Sequence, residues 1–304
     1  MSARARSHTV LCVSIVEPRK IIIGYDGRGT SDDAVALATQ LSRLTNAQLL
    51  LTFACGAPDG SDQSDVSAEE SAKQVLRKGL RALPYGIPAT SRRVAGAPAA
   101  RVLESLAASE CADLIVIGSS ESAPVGRIRV GSVGQRLMTS APCGLAVAPR
   151  GFSNQRSSSI SKIGVCWDGS DGANQALDLA IPLAQMAKAG IHLYTVVNPS
   201  ALGDRGRYGE SIRRMVEGAL ADACRWIPSD VAAGSEVLQG HPASTLAKQV
   251  GEDGVDLLLL GAPSSGYGSV LRVLLRGALH APLRTAPCPV LIAPHAAAES
   301  AWAA

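Results

Sequence analysis

Aromatic residues are few in this chain: three Trp, five Tyr and two Phe among 304 residues. A surface that stacks single-stranded nucleic acid needs several exposed rings along a basic groove, and this composition does not supply them. Excess positive charge is also small, +3 from 29 Lys and Arg against 26 Asp and Glu. A duplex-binding surface requires cations clustered on one face, whereas the visible pairs, Arg127 with Arg129 and Arg205 with Arg207, fall in or near expected loops. Long apolar runs are missing too, so no segment reads as a membrane span. The seven cysteines form neither a CxxC pair nor a Cys/His cluster at metal-ligand spacing. Most lie in strand-like or helix-like contexts and read as reduced, buried thiols of a cytoplasmic protein, with no metal site expected. Arg4 and Arg6 precede a short apolar stretch at 9–16. No small-residue cleavage site follows it before strand one, so a frayed tail or a misplaced start is expected there rather than a leader.

What the chain does have is a repeat. Lys20-Ile21-Ile22-Ile23-Gly24-Tyr25-Asp26-Gly27 returns as Lys162-Ile163-Gly164-Val165-Cys166-Trp167-Asp168-Gly169. Ala141-Pro142-Cys143, followed by an apolar run to Pro149, returns as Ala286-Pro287-Cys288 with a run to Pro294. Self-similarity on this scale means two copies of one unit, at 19–150 and 161–295, and the Ser-rich stretch 150–159 between them reads as a linker. Ala and Gly are plentiful, which suits α/β units with small-residue helix packing.

Within unit one, 21–25 reads as a buried strand. Ser31 is the expected cap of a helix whose core face is Ala34, Leu37, Ala38, Leu41 and Leu44, with Asp32 and Asp33 in its first turn. A strand is expected at 48–55. Ser67 with Glu70 suggests a capping box for a second helix. A short strand follows at 91–94, and Pro98 opens a third helix. The strand ending at Gly118, a helix after Gly131 and a last strand at 143–148 complete the unit. Unit two repeats the order, with strands near 163–167, 191–197, 231–237, 256–260 and 290–293, and with Pro182 expected to kink or shorten its first helix. Alternating strands and helices imply a parallel sheet built from βαβ units.

In open sheets of this kind ligands bind beyond the carboxyl ends of the strands, where the strand order reverses. If strands one and four flank that point, Asp26 and Gly118 meet there. From Gly118 a polar loop leads to Gly131-Ser132 at the start of an apolar-periodic segment. This is the pattern of a loop that presents backbone N–H groups to an anion at a helix start. Each piece also has a plainer reading: Asp26-Gly27 and Asp168-Gly169 as turns, Gly118 as a strand end, Gly131-Ser132 as a helix start. His192 reads as a strand residue, and His241 and His280 as loop or helix-surface residues without a partner pattern for catalysis.

The Gly118-x2-Glu121-x9-Gly131-Ser132 segment, with Asp26-Gly27 closing strand one and Ala-Pro-Cys before strand five, resembles the universal stress protein family. Its nucleotide motif reads G-x2-G-x9-G-[S/T]. The resemblance covers both units and implies tandem copies of a five-stranded, adenine nucleotide α-hydrolase-like fold. It also implies ATP held with its phosphates on Gly118, Gly131, Ser132 and the Val133 amide, with Asp26 and Gly27 by the adenosine and Phe53 near the base. Glu121 stands where the motif has its second glycine; a Cβ there obstructs backbone approach, and a carboxylate repels phosphate. The second unit is more eroded. After Gly261 the next loop glycine is Gly266, and counting on nine residues reaches Arg276-Gly277, or Gly277-Ala278 after a shift of one, so the hydroxyl is lost either way. Asp168 and Gly169 survive, and Ser264, Ser265 and Arg276 remain as anion-handling candidates.

Three classes of function follow. The first is a non-enzymatic, nucleotide-responsive stress protein. The second is a tandem scaffold without nucleotide, its units paired through their last strands, a homodimer being a further option. The third is an enzyme, against which stands the absence of a GxxxxGK[ST] loop, an SGGxDS-type loop, a correctly spaced GxSxG and a Cys/His site. No catalytic residue is expected.

Overall fold

The structure, a computed structural model, describes residues 19–55, 62–155, 159–197, 209–262 and 286–294. Unit one contributes strands β1 (Lys20–Gly24), β2 (Gln48–Cys55), β3 (Ala89–Ala95), β4 (Leu114–Gly118) and β5 (Gly144–Ala148). Its helices are α1 (Gly29–Thr45), α2 (Asp62–Ala82), α3 (Ala99–Ser109) and α4 (Ser132–Ser140). Unit two contributes β6 (Lys162–Cys166), β7 (Gly190–Val197), β8 (Ala233–Gln239), β9 (Leu257–Leu260) and β10 (Val290–Ile292), with α5 (Asp171–Ala187), α6 (Gly209–Cys224) and α7 (Pro242–Glu252).

All ten strands form one sheet in the order β3-β2-β1-β4-β5-β10-β9-β6-β7-β8. Pairing is parallel within each unit. Continuous apolar runs such as Ile21-Ile22-Ile23 and Leu114-Ile115-Val116-Ile117 explain this, because a strand covered by helices on both faces cannot afford an alternating polar side. One face carries α1, α2, α5 and α6 over a core that runs through both units; the other carries α3, α4 and α7. In each unit an aspartate at the start of the fourth strand holds the start of the first. Asp113 accepts from the Arg19 and Lys20 amides at 2.7 and 3.0 Å, and Asp256 accepts from the Ser161 and Lys162 amides at 2.8 and 3.0 Å.

The units meet through β5 and β10, which pair antiparallel with Leu291 opposite Ala146. The segment after β5 is not a loose linker as far as residue 155. It forms a 3₁₀ turn at Phe152–Asn154, held to α1 by Asp33. That carboxylate is 1% exposed and accepts from the Gly151 amide at 2.8 Å, the Ser153 amide at 2.8 Å and the Ser153 hydroxyl at 2.7 Å.

Several local expectations are corrected. Ser31 does not cap α1: the N-cap is Arg28, and the Ser31 hydroxyl donates to its carbonyl at 2.8 Å. In α2, Ser67 lies inside the helix, which begins at Asp62. Pro182 does not shorten α5, which runs 17 residues, the same as α1. The third strand of unit one is longer than 91–94, spanning Ala89–Ala95. Residues 263–285, which include Ser264, Ser265, Gly266, Arg276, Gly277, Ala278 and His280, lie outside the described residues.

Candidate functional site

Because β1 has β2 on one side and β4 on the other, the strand order of unit one reverses between β1 and β4. A cleft of about 380 Å³ opens there, within the range of small-ligand pockets, about 300–1,000 Å³. Gly24, Asp26, Thr52 and Gly118 line it from the strand ends, Thr30 and Ser31 from α1, and residues 131–134 from the start of α4.

Gly118 is fixed by sterics. A Cβ there would sit 1.8 Å from the Thr30 carbonyl oxygen, so only glycine lets β4 end against the first turn of α1. Gly131 differs: it has extended backbone at φ −80°, and the nearest atom to an added Cβ is the Ser120 Cβ at 3.8 Å. It is the N-cap of α4 and offers no side-chain acceptor to the helix. The amides of Ser132, Val133 and Gly134 therefore begin a helix without an intrahelical partner, on the wall of the cleft, with the helix dipole adding positive potential. Thr52, a lining residue of the cleft, is 1% exposed, and its buried hydroxyl has no hydrogen-bond partner among the described residues.

The loop from 119 to 131 is tied down. The Ser119 hydroxyl accepts from the Arg129 amide at 2.7 Å and donates to its carbonyl at 3.2 Å. The Ser120 amide donates to the same carbonyl at 2.8 Å. Ile128 is fully buried, and its amide donates to Ala286 of unit two at 3.2 Å. At the rim, the Arg28 guanidinium stands 3.7 Å from Asp26 and 3.5 Å from Glu121, with all three side chains more than half exposed. Glu121 is thus paired and solvated, which weakens the repulsion its sequence position suggests.

Of the residues expected at the site, the cleft brings together Asp26, Gly118, Gly131, Ser132 and Val133. Gly27 and Phe53 lie outside its lining. Gly27 is a turn glycine at φ +81°, where an added Cβ would meet Val75 at 2.9 Å, and the Asp26 carboxylate accepts from the Arg28 amide at 3.0 Å across the same turn. Strand alternation sends Thr52 and Ala54 to the cleft and Phe53 to the opposite face, where it packs on the core beneath α1 and α2. Thr52 and Arg28 are among the lining residues that sequence reasoning missed. β2 is a near-continuous apolar run with no polar alternation to tell which side chains face the cleft, so neither Thr52 nor Arg28 carried a signal in the sequence.

The corresponding place in unit two is built differently. The Tyr25 amide donates to the Thr52 carbonyl and the Trp167 amide to the Tyr194 carbonyl, both at 2.9 Å, so Tyr194 occupies the position of Thr52. Cys166, paired with Tyr194 as Gly24 is with Thr52, occupies that of Gly24. Both are buried. Gly261 keeps the role of Gly118: a Cβ there would lie 2.3 Å from the Gly172 backbone.

Comparison with known proteins gives the same layout a family. The model of the universal stress protein family matches residues 17–149 and again 159–294. The chain belongs to the universal stress protein family. A universal stress protein of Thermus aquaticus is 30% identical over 131 residues, covering 41% of this chain and 94% of that protein. One from Methanocaldococcus jannaschii is 27% identical over 141 residues, covering 43% and 82%. The crystal structure of a universal stress protein from Archaeoglobus fulgidus aligns over 91% of this chain and 98% of its own, with a TM-score of 0.65 at 18% identity, a likeness of fold. Each single-unit relative matches less than half of this chain, as a tandem member of the family requires.

Proposed function

We propose that this tandem universal stress protein is a non-enzymatic, nucleotide-responsive regulator that binds ATP in the cleft of unit one and acts in the cytoplasm. The observation that carries the reading is the uncapped start of α4, whose four residues 131–134 line the cleft. Three amides without intrahelical partners suit a polyphosphate, and the buried, unpartnered Thr52 hydroxyl offers a further polar contact deeper in. Arg28 supplies a cation at the rim. Among the described residues that line the cleft there is no His, Cys or Lys, so the only side chains able to act as a base are the rim carboxylates of Asp26 and Glu121. This supports a binding role over a catalytic one.

The variant Gly131→Glu tests the site. Its extended backbone accepts any residue and the space around it is open, so the fold is retained while a carboxylate enters the anion position. The expected result is loss of ATP binding by calorimetry at an unchanged melting temperature; unchanged affinity would remove the phosphates from this loop.

The second reading, a scaffold without nucleotide, is favoured by Glu121 at the motif's second glycine and by Cys166 and Tyr194 in unit two. It acts through protein contacts, and the same titration separates the two: a scaffold shows no ATP binding in wild type or variant.

A further inference from the structure

At the far end of the sheet of unit two, away from the carboxyl ends of the strands, three metal-ligating side chains converge from separate elements. His192 lies near the start of β7, Glu236 on β8, and Asp253 at the carboxyl end of α7. One ligand atom from each lies within 4.8 Å of the other two. The imidazole Nε2 is buried and has no hydrogen-bond partner among the described residues. The ring is accommodated because residue 234, opposite His192 in the ladder, is glycine, and a Cβ there would come 2.7 Å from its Nδ1.

From this cluster we propose that unit two carries a divalent transition-metal site, with Zn²⁺ as the ion, held by His192, Glu236 and Asp253.

One imidazole and two carboxylates match the three-ligand sites of zinc, in which water takes the fourth position. Tetrahedral ligands at about 2.0–2.1 Å stand about 3.3 Å apart, so the three side chains need to close by no more than about 1.5 Å. The surroundings hold them for it. The Tyr194 hydroxyl donates to Asp253 Oδ2 and the Gln249 amide to Oδ1 at 3.2 Å, which orients the carboxylate and leaves lone pairs for the ion. The Tyr194 ring also packs, tilted, against His192, with centroids 4.7 Å apart. One group opposes the ion: the Lys162 ammonium, which donates to the Asp253 carbonyl at 3.1 Å. Two carboxylates outweigh that single charge. Chain positions 192, 236 and 253 do not form a spacing motif, so the cluster arises only through folding, and it lies apart from the nucleotide cleft of unit one.

The test is a Zn²⁺ titration of the full, tag-free chain after chelator treatment, followed by calorimetry and by metal analysis of the dialysed protein. The expected result is one Zn²⁺ per chain, weakened tenfold or more by His192→Ala and by Glu236→Gln. Glu236→Gln preserves shape and decides the matter if His192→Ala folds poorly. Anomalous diffraction from crystals grown with Zn²⁺ places the ion between the three side chains. Absence of uptake with Zn²⁺ in excess, or uptake that both variants leave unchanged, as binding at Cys111 would give, overturns the proposal.

Discussion

Arg28 and Glu121 face each other across the mouth of the unit-one cleft, guanidinium to carboxylate at 3.5 Å. They come from the turn after β1 and from the loop after β4, so the pair spans the two elements between which the strand order reverses. Replacing Glu121 with Gly restores the second glycine of the nucleotide motif and frees Arg28 to face phosphate. ATP should bind more tightly, by about twofold to fivefold, the scale of one solvated charge pair. Arg28→Ala should weaken binding, and the two changes should not add. A double-mutant cycle by calorimetry checks this; no gain in Glu121→Gly places the phosphates elsewhere.

Gly118→Ala should be among the most damaging single changes in the chain. Its Cβ has nowhere to go but into the Thr30 carbonyl, because the Cβ is fixed rigidly to the β4 backbone and the carbonyl belongs to the backbone of α1. A loss of more than about 3 kcal/mol is expected in urea unfolding, against less than about 1 kcal/mol for Gly131→Ala in open space.

Asp33 anchors the segment that leaves β5 toward unit two. With three donors converging on one buried carboxylate, Asp33→Ala strands them all and should cost about 2–3 kcal/mol. Asp33→Asn should rescue only part, since its NH₂ turns toward a donor. Denaturant unfolding of the three proteins measures the order.

Burial pushes the Cys143, Cys166 and Cys288 thiols up to about 12, with the nearby Asp113, Asp168 and Asp256 carboxylates adding to the effect. At pH 8 an alkylating reagent should label exposed Cys111 quickly and leave these three unmodified until the protein unfolds. The same shift makes stability depend on pH. Above about 8.5 the unfolded chain releases these protons while the native chain keeps them, so the unfolded state binds fewer protons and stability falls as pH rises toward 12. Cys166→Ala should flatten that fall, which unfolding at pH 8 and pH 10 compares.

The repeat made the fold legible. Apolar runs bounded by Gly and Asp placed the strands, and the rule that open sheets bind ligands where the strand order reverses placed the cleft between strands one and four. Cap chemistry was less legible, because Ser31 and Ser67 satisfy a local pattern while α1 is capped earlier, at Arg28, and α2 begins earlier, at Asp62. Pro182 is tolerated within a full-length helix, and local reading had no means to foresee that. Phe53 was misplaced by one residue in a strand, which is a change of face. The zinc cluster and the Asp33 anchor were invisible since each joins residues far apart in sequence: 33 with 151 and 153, 192 with 236 and 253.

The central claim is that unit one holds a nucleotide. The most direct measurement is to purify the chain, denature it and identify any nucleotide released, with a thermal-shift titration of ATP and magnesium alongside. A ligand that binds only the folded state must raise the melting temperature by mass action. The account predicts ATP released at about one per chain or, for protein purified empty, a concentration-dependent rise in melting temperature that Gly131→Glu abolishes. No released nucleotide and no shift at millimolar ATP would contradict it.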